Sequence, residues 1–361
     1  MHRYISAGAL EKYPELSDFI DRRMKDCPFV GYPTGWFIVA YSDEVKPGEV
    51  KSYRYFGQDM IVWRNAAGEA RVMDAHCPHM GGHLGHGGVG VPHEHGKVVD
   101  DSVQCPWHGW RWNAAGENVE IPNADQCNKF AKVKVWHAKE VYNRWIMVWH
   151  DRLGRDPLWE SPVVPELEMP EEYYLDPEDV AVATFSDLFF PLPMLSENYV
   201  DGAHVKYVHG SEIGDITVLE DSGPVYKSLF DVEFRSRKSY HGNVGTIRAE
   251  GWGQGITVNK LYGVHENIMF IGHTPTDGWR CDIRVFNFAR RVPGEDHPSG
   301  LAKLTIEKQL TAICEDQPIV EFAHYNRRPA FTETEAPQFL SVRRWTRQFY
   351  PLHDELAGAR K

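Results

Sequence analysis

The sequence predicts an α+β chain, with a small all-β N-terminal domain followed by an antiparallel-sheet domain that carries helices on one face. Three observations lead there. Short β-rich runs alternate with turn residues over 35–149, longer strand candidates follow over 223–289, and the pattern becomes helical after 300. Strands in a run followed by helices bury their apolar surfaces as sheet against helix rather than as an alternating parallel fold. At 361 residues the chain is long enough for two domains, each with its own core.

Taken in order, residues 1–30 form an N-terminal helical segment, with an amphipathic helix expected over 9–25 and its basic end at Arg22-Arg23. That arginine pair does not read as an export signal, because Lys25, Asp26, Pro28 and Pro33 break any apolar stretch behind it. The β domain spans 31–150. Strands are expected at 35–41, 50–56, 59–64, 70–74, 97–104, 109–113, 132–136 and 142–149, with turns at Lys46-Pro47-Gly48 and Asn65-Ala66-Ala67-Gly68. Residues 151–181, rich in Pro, Asp and Glu, read as a linker. The second domain, 182–361, opens with a helical segment near 193–208. Strands at 223–238, 243–253, 256–263, 266–273 and 279–289 follow, then helices near 300–323 and 336–349.

Composition narrows the function classes. A formal charge of −12 argues against nucleic acid or an anionic membrane as partner. No stretch approaches ~18 uninterrupted apolar residues, so no membrane span is expected. Of six cysteines, Cys27, Cys127, Cys281 and Cys314 lack the spacing of a disulfide framework and read as reduced thiols of a cytoplasmic enzyme.

The remaining two cysteines stand in Cys77-Pro-His79 and Cys105-Pro-Trp-His108. Two thiolates and two imidazoles in this order suit a Rieske [2Fe–2S] centre, in which two histidines replace two cysteines on one iron. A zinc site could use the same four residues, but zinc fingers group Cys with Cys and His with His, whereas each pair here is mixed. Between the pairs lie His83, His86, His93 and His95 and a run of glycines that permits close backbone approach. No G-x-G-x-x-G opens a helix after a strand, so no dinucleotide loop is expected.

A lone electron carrier would end near residue 150. The second domain offers His204 and His209, and two histidines with a carboxylate can hold non-haem Fe(II) with positions left open for O2. Residues i and i+5 do not share a helical face, so the helix must distort or end between them. Asp316 and its neighbour Glu315 are the candidate carboxylates, and pattern alone barely separates them. Asp201, three residues before His204, can accept the imidazole N–H; its plainer alternative is helix capping.

Together these segments resemble the catalytic α-subunits of Rieske non-haem iron oxygenases over most of the chain. The resemblance rests on the two Cys–His motifs, with Trp110-Arg111-Trp112 following the second, and on the Asp201–His204–His209 segment. Within that family, Asp74-Ala75-His76-Cys77-Pro78-His79-Met80-Gly81-Gly82, Ile121-Pro122 and Arg343-Arg344-Trp345-Thr346-Arg347-Gln348-Phe349-Tyr350 are similar to the oxygenase components of 3-ketosteroid 9α-hydroxylases. The resemblance implies a Rieske domain ahead of a helix-grip, START-like catalytic domain. It implies Cys77, His79, Cys105 and His108 as cluster ligands and His204, His209 and Asp316 as iron ligands. Asp201 would be the aspartate that bridges to the cluster of a neighbouring subunit in a homotrimer. It further implies a separate ferredoxin or reductase and a small hydrophobic, steroid-like substrate that is hydroxylated. Aromatic cis-dihydroxylation, oxidative O-demethylation, and a Rieske electron carrier with an inactive second domain are the alternatives. The loop between the pairs is longer than usual for the family, with an insertion near Val89 to Gly96.

Overall fold

The computed structural model describes residue 5 and residues 7–87, 96–235 and 242–358. The chain divides into two compact units, Trp36–Pro157, and Met1–Gly35 together with Leu158–Lys361.

The first unit holds three small antiparallel sheets. Strands β1 (Gly35–Tyr41), β10 (Trp145–His150) and β9 (Ala138–Val141) form one, and β2 (Val50–Tyr55), β3 (Gln58–Arg64) and β4 (Ala70–Asp74) another. The third runs β5 (Lys97–Val99), β6 (Ser102–Gln104), β7 (Arg111–Asn113) and β8 (Asn118–Glu120). Turn chemistry sets these registers. Between β2 and β3, Phe56 and Gly57 both take positive φ (55° and 69°), the geometry of a two-residue hairpin turn whose twist matches its strands. The run 97–104, expected as one strand, is a hairpin instead: Asp100 sits at φ 54° and Val99 pairs with Ser102. Aspartate tolerates that left-handed conformation, so the chain can reverse there. The strand expected at 132–136 makes only isolated bridges, Met73 with Val135 and Glu117 with Lys132. The last strand starts at Trp145 because Tyr142 and Asn143, both at positive φ, spend the first residues of that run on a turn.

The second unit is built on one eight-stranded antiparallel sheet. Its strands are β11 (Ala181–Phe189), β12 (Ser211–Ile213), β13 (Thr217–Glu220), β14 (Val225–Phe234), β15 (Val244–Trp252), β16 (Ile256–Tyr262), β17 (Asn267–Pro275) and β18 (Arg280–Ala289). They run in the order β11-β18-β17-β16-β15-β14-β12, with β13 also on β14. The five long strands expected from sequence appear with ends shifted by up to four residues, though 236–238 lie outside the described residues. Edge strands β11 to β13 were not expected.

The helices differ more. The expected helix over 9–25 is α1 (Ala7–Lys12) followed by 3-10 turns at Pro14–Phe19 and Arg22–Met24. Pro14, with no N–H to donate, cannot continue α1. Leu16, Phe19 and Met24 instead join a core with Trp279, Trp345 and Phe349, and the Trp279 indole donates to the Phe19 carbonyl at 2.9 Å. The N-terminal segment is therefore part of the second unit. The stretch read as a linker also packs there from Leu158 on: Lys260 pairs with Glu166, and Tyr174 N–H donates to the Ala289 carbonyl.

Near the site, α2 (Leu192–Leu195) and a 3-10 turn precede α3 (Gly202–Tyr207), so 193–208 is not one helix. Likewise 300–323 is two, α4 (Gly300–Lys308) and α5 (Leu310–Phe322). Buried Asn287 sits at the break: its amide donates to the Ile306 carbonyl (2.6 Å) and shares the Thr305 carbonyl (3.2 Å) with the Gln309 N–H (3.3 Å). Helices α6 (Ala336–Arg347) and α7 (Leu352–Gly358) close the chain. Among the described residues no helix is long and apolar enough to cross a membrane.

Candidate metal centres

In the first unit the two Cys–His segments form loops with one shared bonding scheme. Gly81 N–H donates to the Cys77 carbonyl and Gly109 N–H to that of Cys105; Cys77 N–H donates to Gly82 and Cys105 N–H to Trp110. Gly81 and Gly109 take φ of 77° and 74°, a turn that a residue with a Cβ adopts only under strain. Each cysteine is thus held from both sides by its own loop. The two loops also meet closely, for a Cβ on Gly82 would lie 3.1 Å from the Cys105 sulfur.

The ligand types differ in exposure. Cys77 and Cys105 are buried at the edge of a core with Ile61, Trp63, Leu84 and Trp112, while His79 and His108 are exposed. The His79 ring stacks on Trp110 (4.3 Å, 9°), His108 lies over Trp107 (4.9 Å, 27°), and the two imidazoles are 4.8 Å apart. Hydrogen bonding from Cys77, then backbone N–H groups of Trp107 and His108, pull the Cys105 thiol down to about 6 against its burial. The same thiol pairing, with burial, pushes Cys77 up. A thiolate cradled by N–H groups, next to a second thiol and two outward imidazoles, suits the donor set of a Rieske cluster. Of the histidine-rich loop, His83 and His86 have rings 4.3 Å apart, and burial first, then His86 and His76, lower His83 to about 4. His93, His95 and the insertion up to His95 lie outside the described residues.

In the second unit, ligand atoms of His204, His209 and Asp316 lie within 4.8 Å of one another, the one such group among the described residues. Helix α3 ends at Tyr207, so His204 projects from the helix and His209 from the chain beyond it, which resolves the i, i+5 spacing. Their rings stand 5.3 Å apart at 81°. From α5, Asp316 Oδ1 reaches His209 Nε2 at 3.2 Å. Glu315, which sequence treated as a rival ligand, takes another position: its Oε2 accepts from His209 Nδ1 at 2.8 Å. Both carboxylates outweigh burial and raise the His209 pKa.

Asp201 fills the plainer of its two expected places. It caps α3, accepting the His204 N–H at 3.2 Å, while its other oxygen stands 3.6 Å from His204 Nδ1, beyond hydrogen-bond range. Burial raises the Asp201 pKa, but His204 and the backbone N–H groups of His204 and Ala203 outweigh it and hold the carboxyl low.

His204, His209 and Asp316 form part of the wall of a 190 Å³ cavity over the sheet. Alternate strand residues point to one face, and this face supplies Val232, Ile247, Thr257, Ile271, His273 and Ile283. Sequence gave no sign that Thr257 and His273 belong to the site. β17 is buried along its whole length and β16 at all but two positions, so neither shows an alternation that singles out the cavity side.

A thiolate–imidazole domain followed by a sheet-and-helix domain with a two-histidine, one-carboxylate group is the architecture of a Rieske-type oxygenase. Residues 35–151 match the Rieske [2Fe-2S] domain, and residues 148–350 match the 3-ketosteroid 9α-hydroxylase C-terminal domain. The oxygenase component of a 3-ketosteroid-9-alpha-monooxygenase from Rhodococcus rhodochrous is 30% identical over 336 residues, covering 88% of this chain and 83% of that one. A cholesterol 7-desaturase from Ciona intestinalis is 35% identical over 205 residues, 56% of this chain but only 40% of the desaturase's length. Among solved structures, dicamba monooxygenase bound to dicamba superposes with a TM-score of 0.69 at 17% identity, over 91% of this chain and 99% of that one. The chain belongs to the 3-ketosteroid 9α-hydroxylase family of Rieske oxygenases.

Proposed function

We propose that the chain is the terminal oxygenase of a multicomponent system and oxidises a hydrophobic, steroid-like substrate. The observation that carries this is the cavity, whose lining is mostly aliphatic and aromatic, with His204, His209 and Asp316 in one part of the wall and a few other polar side chains such as Asn198, Asn259 and His273. In this reading Cys77, His79, Cys105 and His108 hold a [2Fe–2S] cluster and His204, His209 and Asp316 hold Fe(II). When bound, the two groups supply one-electron transfer and the activation of O2. The protein's own part is positioning. Glu315 fixes the His209 ring so that Nε2 faces inward, Asp201 anchors the start of α3 beneath His204, and the apolar wall excludes water and sets the substrate beside the three ligands. Electrons come from a separate ferredoxin or reductase, and the assembly is a homotrimer. At 190 Å³ the free cavity is below the ~300 Å³ at which ligand pockets begin, so a four-ring substrate must displace side chains such as Met269.

Hydroxylation is the leading reaction. The desaturase relative favours a second, removal of two hydrogens from a steroid without oxygen insertion. Turnover of a steroid panel with a surrogate reductase under labelled O2 separates them. Label in the steroid supports hydroxylation, a new double bond with label only in water supports desaturation, and no oxidation of any steroid would sink the substrate class. Iron analysis should return about three irons per chain, and about two would overturn the second metal centre.

A further inference from the structure

The first unit carries a surface segment that neither metal centre uses. Between Asp125 and Glu140 the chain holds Lys129, Lys132, Lys134 and Lys139 and no acidic residue. Charge is divided unevenly over the chain. Trp36–Pro157 has 14 Lys and Arg against 15 Asp and Glu, whereas the other unit has 25 against 36. The basic run therefore stands on a nearly neutral unit of an acidic protein.

Alternation along the extended stretch 130–135 gives this run two sides. Ala131, Val133 and Val135 pack into the core that contains Cys77 and Cys105, while Phe130, Lys132 and Lys134 are exposed on the other side. Phe130 is 99% exposed, and Lys129 beside it is exposed too. The Lys134 ammonium lies 4.0 Å from the centre of the Trp136 ring. Lys132 reaches Glu117 at 3.0 Å, but a pair so exposed holds little energy and leaves the lysine able to meet another acid.

The patch is built rather than loose. Asn128 Oδ1 accepts from the N–H groups of Phe130 (2.9 Å) and Ala131 (3.1 Å), and the Asn128 N–H donates to Asn118 Oδ1 at 2.9 Å. Val133 N–H donates to the Gly116 carbonyl at 2.9 Å. At the start of the same loop, Pro122 closes on the cluster segment, for a Cβ on Gly109 would lie 2.9 Å from its ring. An aromatic ring held in water by a fixed turn has little freedom left to lose on docking.

We propose that Phe130, Lys129, Lys132 and Lys134 form the docking surface for the electron donor, a small one-electron carrier protein with an acidic face. The inference rests on the chain being a Rieske oxygenase fed by a separate donor. It adds where that donor lands and which charge it carries. The lysines steer an acidic face to the unit, and Phe130 is the anchor that seats it outside the core holding Cys77 and Cys105.

The test is stopped-flow reduction of the full-length, cluster-loaded protein, followed at the visible absorbance of the cluster. The probe donor is a reduced, acidic plant-type [2Fe–2S] ferredoxin, which gives up one electron per encounter. A photoreduced deazaflavin, small and neutral, is the control reductant. With the ferredoxin, the native second-order rate constant should fall at least tenfold as salt rises to ~0.5 M. Phe130→Ser should lower it about tenfold at low salt. Combined Lys129→Glu, Lys132→Glu and Lys134→Glu should lower it at least tenfold and reverse its salt dependence. Deazaflavin should reduce every form at the native rate. Should the triple variant lose its cluster, Lys129→Glu alone should still slow the ferredoxin about threefold. Unchanged ferredoxin rates in the variants, or a native rate indifferent to salt, overturn the docking surface. So does a native cluster that deazaflavin reduces and the ferredoxin does not, and the oxygenase reading then survives. A native protein whose cluster neither donor reduces overturns both. Sedimentation velocity showing that the lysine variant changes its assembly state would give the patch to a second copy of the chain and overturn the proposal.

Discussion

His209 is gripped at both ring nitrogens by consecutive residues of one helix, Glu315 at 2.8 Å and Asp316 at 3.2 Å. The two carboxylates therefore have separable effects. Asp316→Ala should remove the mononuclear iron, lowering iron content from about three to about two per chain, while the visible spectrum of the cluster is unchanged. Glu315→Gln keeps the side chain's size but weakens its hold on the imidazole. Iron should remain bound with affinity lowered about 10–100-fold, as measured by Fe(II) titration of the stripped protein. Equal loss in both variants would mean that Glu315 is itself a ligand.

At the scale of elements, the α4–α5 junction places Asp316, and Asn287 holds that junction from β18. Asn287→Ala strands the Ile306 carbonyl and should cost about 1–3 kcal/mol in urea denaturation, with a loss of iron occupancy alongside. A second tie joins the start of the sheet to the approach to α4: His297 Nδ1 meets Asp179 at 2.9 Å, and this pairing raises the His297 pKa. Because the folded value is raised, the contribution is complete below the unfolded imidazole value of about 6.5 and is lost as pH climbs through the folded one. The melting temperature of the native protein should therefore fall relative to His297→Gln as pH rises through that window. A constant difference would discount the pair.

These elements also mark how far the sequence could be read. Cys77-Pro-His79 and Cys105-Pro-Trp-His108 were legible because each motif is local and its loop makes its own hydrogen bonds. His204 and His209 were legible as a pair, and the end of α3 before His209 is what their spacing required. Asp316 lies more than 100 residues away, so only packing of α5 distinguishes it from Glu315. The break between α4 and α5 is met by a side chain from β18, which no pattern within 300–323 contains. His273 was hidden for a related reason, since every residue of β17 is buried and a polar one among them looks like core.

At the scale of the whole molecule, one chain carries a Rieske domain and a catalytic domain. Asp201 sits where the catalytic unit can be tested for coupling to a cluster. Asp201→Asn should leave about three irons per chain yet slow turnover at least tenfold, with the cluster still reducible by a surrogate donor. Full turnover would refute a relay role and leave Asp201 as a helix cap. The cysteines add a practical consequence. Cys27, Cys77, Cys105 and Cys281 are buried and Cys127 is half-buried, whereas Cys314 is exposed on α5, two residues before Asp316. A maleimide dye or nitroxide will therefore react there first, giving the native protein a ready-made reporter on the helix that carries the candidate carboxylate Asp316.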